Sequence, residues 1–441
     1  MARMTIPAAY LARKEREMAL IDSGLATTLA LPPPHDVADA IDQKFKLAAA
    51  LRAERSLSSW AITETARPEI QHWQWGAYEF GYGYQRADLE VRGPAIYTAL
   101  DVPGRGRAVE TLYTGSGMSA IATLLTALLH VRGPLCVHAG RGGYGETREL
   151  CERYGERIRW VPRRRTRAAD PQTAGTHIAL VDSMSGDLPH GDDPMQHGTE
   201  LVVFDTTCFW RDSGRVGRVL RWAHRHDVPV ALVRSHAKLD CLGVEYGRLG
   251  SLVLAWRRHP GTVWMKDLVS EARSAIRLLG VAAIPAHFPP FAGGAVYAAC
   301  SAARTAAIVR NTRRLAARLI ATPVGRGVKV YPHGLYLTIQ PQGELRIQDV
   351  KRAISGLCDA LADSGLPVKH AGSFGFDFVA LEWFPDPLTR RNVIRVAPGD
   401  VPATTMDAVA HGIVGWFALQ SVALVTPQAP ASSADHALSG R

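Results

Sequence analysis

The sequence predicts an α/β fold built on a mostly parallel sheet, and three observations carry that reading. Between about residues 110 and 260, apolar β-rich runs alternate with helical segments. The strand runs are apolar almost throughout rather than at every second position, which is the pattern of a sheet covered by helices on both faces. A length of 441 residues exceeds one ordinary core and calls for two or three domains.

Taken in order, residues 1 to about 75 read as a helical arm broken by the proline run between Leu31 and His35. Ile41, Phe45, Ala48 and Leu51 then recur at helical spacing over Ile41–Arg55. Strands are expected at Leu135–Ala139, Ile158–Val161, His177–Val181, Leu201–Phe204, Val228–Val233 and Ser251–Trp256. The intervening helices are Gly117–His130, Gly145–Tyr154 and Gly214–His226. A long helix follows over Gly294–Ala321. The stretch 328–425 mixes strands (Val328–Tyr331, Leu335–Ile339, Phe378–Trp383, Val393–Val396) with helices (Ile347–Asp363, Thr404–Ala423), as in a smaller α+β unit. The expected organisation is an arm over 1–75, an α/β domain over 76–290, an α+β domain over 291–425, and a disordered Ala-, Ser- and Pro-rich tail over 426–441.

Composition narrows the function classes. The 47% hydrophobic and 21% charged content is that of a globular protein. The longest apolar stretch, Ala120–Leu129, falls far short of the roughly 20 residues that span a bilayer, so no membrane partner is expected. Arg3, Arg13, Lys14 and Arg16 precede no apolar core with a small-residue cleavage site, which reads as cytoplasmic. Six cysteines without a C-x-x-C pair suit a reducing compartment and offer neither a zinc ribbon nor a disulfide framework. The net charge of +10 raises nucleic acid as a partner, but only eight of the 51 basic residues are lysines and the arginines are spread along the chain. The one dense run, Arg163-Arg164-Arg165, has no aromatic interleaving, so no nucleic-acid partner is expected. His224 and His226 sit near a helix C-terminus, where their charge is favourable without any metal.

Four motifs carry candidate chemistry, each with a plain structural rival. Gly140-Arg-Gly-Gly-Tyr-Gly145 matches G-x-G-x-x-G after a strand, the fingerprint of a nicotinamide-dependent oxidoreductase, yet no acid ends the next strand to take a ribose hydroxyl. A glycine-rich turn is the rival. Ser116-Gly117-Met118 opens a helix whose free N–H groups and dipole favour an anion, and Ser116 also suits a simple N-cap. Asp205 ends the buried run Leu201–Phe204, at the edge where parallel sheets place ligands; it is either half of a buried salt bridge or a carboxylate that keeps a ring nitrogen protonated. Lys238, in Ser235-His236-Ala237-Lys238, lies just past the next strand, where a surface lysine is the rival.

In this order, the anion turn, Asp205 and Lys238 resemble the Cys/Met-metabolism family, the cystathionine gamma-synthase/gamma-lyase-like group of fold-type-I pyridoxal phosphate enzymes. The resemblance runs from about residue 80 to the end of the folded chain. The family's S-G-M phosphate motif is matched by Ser116-Gly117-Met118, and its Y-G-x-T motif, with a ring-stacking tyrosine, by Tyr144-Gly145-Glu146-Thr147. D-N-T reads Asp205-Thr206-Thr207, S-x-T-K reads Ser235 to Lys238, and S-L-G reads Ser373-Phe374-Gly375. The late carboxylate-gripping arginine is matched by Arg395, and the Y-x-R pair lent by a neighbouring subunit by Tyr84 and Arg86. Three departures mark a divergent member: Ala237 replaces the usual threonine, Ala87-Asp88-Leu89 replaces N-P-T, and Leu239-Asp240-Cys241 replaces the residues usual after the lysine.

The resemblance implies pyridoxal 5'-phosphate in the 76–290 domain, bound as a Schiff base to Lys238 and held by Ser116, Gly117, Met118, Tyr144, Asp205, Thr207, Ser235, Tyr84 and Arg86. It implies an amino-acid substrate bound by Ser373 and Arg395, with Lys238 and Tyr144 catalytic. The implied reaction is elimination or replacement at Cγ through a vinylglycine-type intermediate, by a homo-oligomer, a dimer of dimers. Specialised biosynthesis fits the departures, including an unusual leaving group such as a halide on an unsaturated amino acid. The alternatives are an aminotransferase, a beta-lyase, a nicotinamide-dependent oxidoreductase and a catalytically silent binding subunit.

Overall fold

The computed structural model describes residues 8–423 apart from 64–69, 76–77, 85, 97–106, 141, 163–174, 183, 185–197, 211–212, 342–345 and 387. The arginine run 163–165 and the tail 426–441 lie outside the described residues. Two helices, α1 (Ala8–Asp22) and α2 (Val37–Thr63), begin the chain on either side of the proline run. The expected arm then ends in a strand, β1 (Gln71–Trp75), which pairs antiparallel with β2 (Tyr78–Tyr82); β3 (Glu90–Arg92) completes a three-stranded sheet. Trp73, Trp75 and Phe80 pack their rings together there.

A seven-stranded sheet follows, formed by β4 (Arg107–Thr114), β5 (Leu135–Ala139), β6 (Ile158–Pro162), β7 (Thr176–Val181), β8 (Leu201–Asp205), β9 (Val230–Ser235) and β10 (Gly250–Arg257) in the order β4-β10-β9-β8-β7-β5-β6. The run from β9 to β6 is parallel; β10 is antiparallel to both its neighbours. Alternate residues of each strand enter opposite cores, which is why the runs read as continuously apolar. Leu180, Val203 and Val233 face α3 (Gly117–Arg132) and α6 (Trp264–Leu279), whereas Val181, Val202, Phe204 and Leu232 face α5 (Gly214–Arg225). Between β5 and β6 lies α4 (Gly145–Arg153).

Helix α7 (Gly294–Ile320) leads to a five-stranded sheet, β11 (Val328–Val330), β12 (Leu337–Ile339), β13 (Val368–His370), β14 (Val379–Pro385) and β15 (Asn392–Ala397), ordered β11-β12-β15-β14-β13 and packed with α8 (Ile347–Asp363) and α9 (Ala403–Ala423). An α/β fold with a large, mostly parallel sheet flanked by helices, followed by a smaller α+β portion, is the architecture expected. Among the described residues, no helix is long and apolar enough to cross a membrane.

A buried charge network ties the first two helices to the end of the chain. Lys14 Nζ lies 2.9 Å from Asp377 and 2.8 Å from Asp400, Lys44 Nζ bonds Asp377 at 2.7 Å, and Arg304 bonds Asp377 at 2.6 Å. Glu17 accepts from Lys14 and Lys44, and Arg13 bonds Asp400. Such charges are tolerable away from water only because each faces several of opposite sign. Glu17, Asp377 and Asp400 stand close enough to share a metal ion, but these ammonium and guanidinium groups already neutralise them.

Candidate functional site

The C-terminal edge of the parallel strands opens onto a cleft of about 320 Å³, within the size range of small-molecule sites. Ten of the expected site residues line it: Ser116, Gly117, Met118, Tyr144, Asp205, Thr207, Ser235, Lys238, Ser373 and Arg395. They come from both sheets. Tyr84 and Arg86 do not line this cleft; Arg86 Nη2 donates to the Tyr84 hydroxyl at 2.5 Å beyond β2, and Gln85 between them lies outside the described residues.

Ser116 serves both its sequence readings: its Oγ caps α3 by accepting from Ser119 N at 3.0 Å, while the helix N-terminus faces the cleft. Two glycines make the turn possible. A Cβ on Gly117 would lie 3.0 Å from Ser235 N, and one on Gly250 would lie 2.2 Å from Ser116 O. The helix start is thereby pressed against the end of β9.

Thr207 joins the two loops on the cleft floor. Its N–H donates to Asp205 Oδ1 at 2.9 Å and its hydroxyl accepts from Ser235 N at 3.0 Å. Burial pushes the Asp205 carboxyl up from the usual range, against these bonds and the nearby positive charge of Arg234. Among the described residues, no cation pairs with Asp205. Among the described residues, no carboxylate ion-pairs with Lys238: its Nζ donates to Ser373 Oγ at 2.6 Å, and burial pushes its pKa down against the more distant charge of Glu245. A lysine and an aspartate withdrawn into one cleft, yet not paired with each other, each retain an unmet electrostatic demand.

The turn carrying Lys238 is held from beneath. Arg234 bonds both Asp240 oxygens, at 2.6 and 2.7 Å, and donates to Phe209 O at 2.8 Å and to Thr206 O. His236 Nδ1 lies 2.7 Å from Asp240 Oδ2, and His236 Nε2 lies 2.9 Å from Ser251 Oγ. An ionised carboxylate only accepts, so Nδ1 carries the proton and Nε2 accepts from the serine hydroxyl. Burial opposes the Asp240 charge, but Arg234 and His236 outweigh it and hold the carboxyl at about 2. Ser251 and His236 are fully enclosed, so this Ser–His–Asp series does not meet a substrate. It fixes the backbone on either side of Ala237. Above, Gly375 at φ +88° approaches the Lys238 carbonyl, where a Cβ would lie 2.9 Å away.

The Gly140–Gly145 turn presents Tyr144 to the cleft. Asp182, just beyond β7, accepts from Tyr144 N at 2.5 Å and from Met184 N at 2.7 Å. A Cβ on Gly143 would lie 2.8 Å from its carboxylate, and Gly142 has φ +77°. These glycines thus serve the placement of the tyrosine. Burial, reinforced by Glu146, pushes the Tyr144 hydroxyl well up, so it stays protonated.

Arg395 points from β15 into the cleft between the rings of Tyr336 and Phe384, and burial pushes its pKa down. The carboxylate of Glu382 bonds it. Sequence reasoning missed Glu382, Asp182, Glu146, Cys208 and Tyr336; the last four line the cleft. Asp182, a lone acid after an apolar strand as Asp205 is, carried the same signal.

No known family model matches the chain, and no curated protein matches it. Solved structures do. A cystathionine gamma lyase, CalE6, from Micromonospora echinospora is 16% identical with a TM-score of 0.50, covering 89% of this chain and 98% of that one. A cystathionine gamma synthase from Xanthomonas oryzae pv. oryzae, in complex with aminoacrylate and cysteine, is 14% identical with a TM-score of 0.48, covering 73% and 84%. The metB protein of Corynebacterium glutamicum is 14% identical with a TM-score of 0.48, covering 69% and 80%. At 16% identity the likeness to CalE6 is one of fold, and it extends over nearly all of that chain.

Proposed function

We propose that the chain is a pyridoxal 5'-phosphate-dependent lyase that eliminates or replaces a group at Cγ of an amino acid. The observation that carries this reading is the unpaired couple of Lys238 and Asp205 in one cleft, beside a helix N-terminus. The cofactor's aldehyde, protonated ring nitrogen and phosphate satisfy these three features in turn. When bound, it supplies an electron sink for charge developing at Cα.

The chain's own groups divide the remaining work. Asp205 holds the proton on the ring nitrogen, and its charge then has the partner it lacks within the fold. The N–H groups of Gly117 and Met118 and the hydroxyls of Ser235 and Thr207 bind the phosphate at the start of α3. Tyr144, which lines the same cleft, is the side chain that would stack on the ring. Lys238, its pKa lowered by burial, takes the Cα proton once released, and for loss at Cγ it also moves a Cβ proton. Ser373 accepts from the amine and aims it. Tyr144, still carrying its proton, donates it to the departing group. Arg395 receives the substrate carboxylate. Tyr84 and Arg86, remote from their own cleft, complete the phosphate site of a second copy in a homo-oligomer.

Absorption spectroscopy of the purified protein, before and after borohydride, tests this directly. The wild type is expected to show a chromophore that borohydride reduces and fixes covalently to Lys238. If Lys238→Ala retains a borohydride-fixable chromophore, the assignment fails. Mixing Arg86→Ala with Lys238→Ala protein is expected to restore part of the turnover with an amino-acid substrate. No recovery in demonstrated hybrids refutes the shared site.

A further inference from the structure

Glu382 and Arg395 stand directly opposite each other on the antiparallel strands β14 and β15, so their side chains leave the same face of the sheet. Arg395 lines the cleft, and the Glu382 carboxylate forms an ion pair with its Nη2. Both side chains are largely withdrawn from water, at 8% exposure for Arg395 and 14% for Glu382. The rings of Tyr336 and Phe384, 5.0 and 5.2 Å from the guanidinium carbon, add an apolar seat.

Two details show that this pair is incomplete. Arg395 Nε is buried and has no hydrogen-bond partner among the described residues. Nε and Nη2 form the edge on which a carboxylate makes two parallel bonds, and Glu382 approaches only the Nη2 end of it as an ion pair. Beside it, Gly372 lines the cleft, and a Cβ there would lie 2.9 Å from Glu382 Oε2, so a side chain at residue 372 would press on the carboxylate where it now stands.

We infer that Glu382 is an internal competitor for the substrate's carboxylate, neutralising Arg395 in the free enzyme and yielding its place when an α-amino acid docks. The inference rests on the function proposed above. One guanidinium cannot neutralise two carboxylates in a poorly hydrated cleft, so an arriving carboxylate must displace Glu382 or leave one charge uncompensated. Affinity for the carboxylate is reduced by the fraction of molecules in which Glu382 holds the site. Glu382 therefore sets specificity. An amino acid is accepted when the rest of the molecule contributes enough binding to open the pair, and an amine without a carboxylate bears no such penalty.

The test titrates the cofactor absorption of the holoprotein with glycine and, separately, with ethylamine. Glu382→Gln and Glu382→Ala are expected to tighten glycine binding at least about tenfold, the weight of one bond to a charged group, and to leave ethylamine within about twofold. Arg395→Ala should remove the preference for glycine. Unchanged or weaker glycine binding in both Glu382 variants, with the Arg395→Ala loss intact, overturns the competition and leaves the function standing. If neither amine perturbs the absorption, or no cofactor is bound, the function falls and the inference with it.

Discussion

Removing the Asp240 carboxylate should loosen the turn beneath Lys238 without unfolding the molecule. Asp240 accepts two bonds from Arg234 and one from His236, at 2.6–2.7 Å, and all three residues are buried. In Asp240→Ala the buried Arg234 guanidinium loses the carboxylate that takes two of its bonds, while its bonds to the carbonyls of Thr206 and Phe209 remain. Breaking a buried pair from one side costs about 3–5 kcal/mol. At 1.4 kcal/mol per decade, local opening becomes about 10² to several times 10³ more frequent. Hydrogen exchange reads this where it occurs: the Thr206, Ser235 and His236 amides bond Val233 O, Thr207 Oγ1 and Leu249 O across these loops. Their protection should fall by that factor. Amides of α8, remote from the loops, should be unmoved. As a control, Asp407→Ala removes an exposed pair with Arg314 and should change stability by less than about 1 kcal/mol. Less than a threefold change at residues 206, 235 and 236 would refute the view that this network holds the lysine turn.

Other expectations follow from the same geometry. Burial, with Arg215 and Arg395 nearby, pushes the His333 imidazole down to about 3. Below the ordinary pKa of about 6.5 the unfolded chain takes up a proton that the folded chain refuses. Stability is therefore lost as pH falls from about 6.5 towards 3, at about 1.4 kcal/mol per unit. His333→Asn, which can keep the bond from Leu335 N, should flatten that slope between pH 7 and 5 in urea titrations; a constant offset from the wild type refutes it. Gly375→Ala places a Cβ against the Lys238 carbonyl at φ +88° and should weaken cofactor binding at least about tenfold; equal affinity by equilibrium dialysis contradicts this. Asp205→Asn should still bind the cofactor but slow deuterium exchange at Cα of a bound amino acid by on the order of 10², measured by NMR. Exchange at the wild-type rate removes Asp205 from its proposed role.

The central strands were legible because both faces of the sheet are covered, which leaves no polar alternation in β7, β8 or β9. Strand β4 was not, since it lies at the sheet edge and places Glu110 in water's reach. Strand β1 was absorbed into the helical arm, β2 and β3 were not foreseen, and α6 was passed over although Met265, Leu268, Ala272 and Ile276 keep helical spacing on its buried side. In the site, Asp205 and Lys238 stood out as charges ending apolar runs. Ser373 and Arg395 were visible only through resemblance, because nothing local distinguishes them. Glu382 was invisible for a physical reason: it matters only through the register of β14 against β15. That register is fixed by packing of the whole sheet.

The charge network joining the first helices to Asp377 and Asp400 has a consequence for how the molecule is made. Arg13 and Lys14 leave the ribosome well before their partner Asp400, which lies 387 and 386 positions further on, and Asp377 lies 333 positions after Lys44. Synthesis at about 5–20 residues per second leaves those cations with Glu17 alone for tens of seconds before the two aspartates arrive. The seven-stranded sheet, complete by Arg257, has all its strands long before then. The segment carrying these cations is thus among the last parts of this fold to settle.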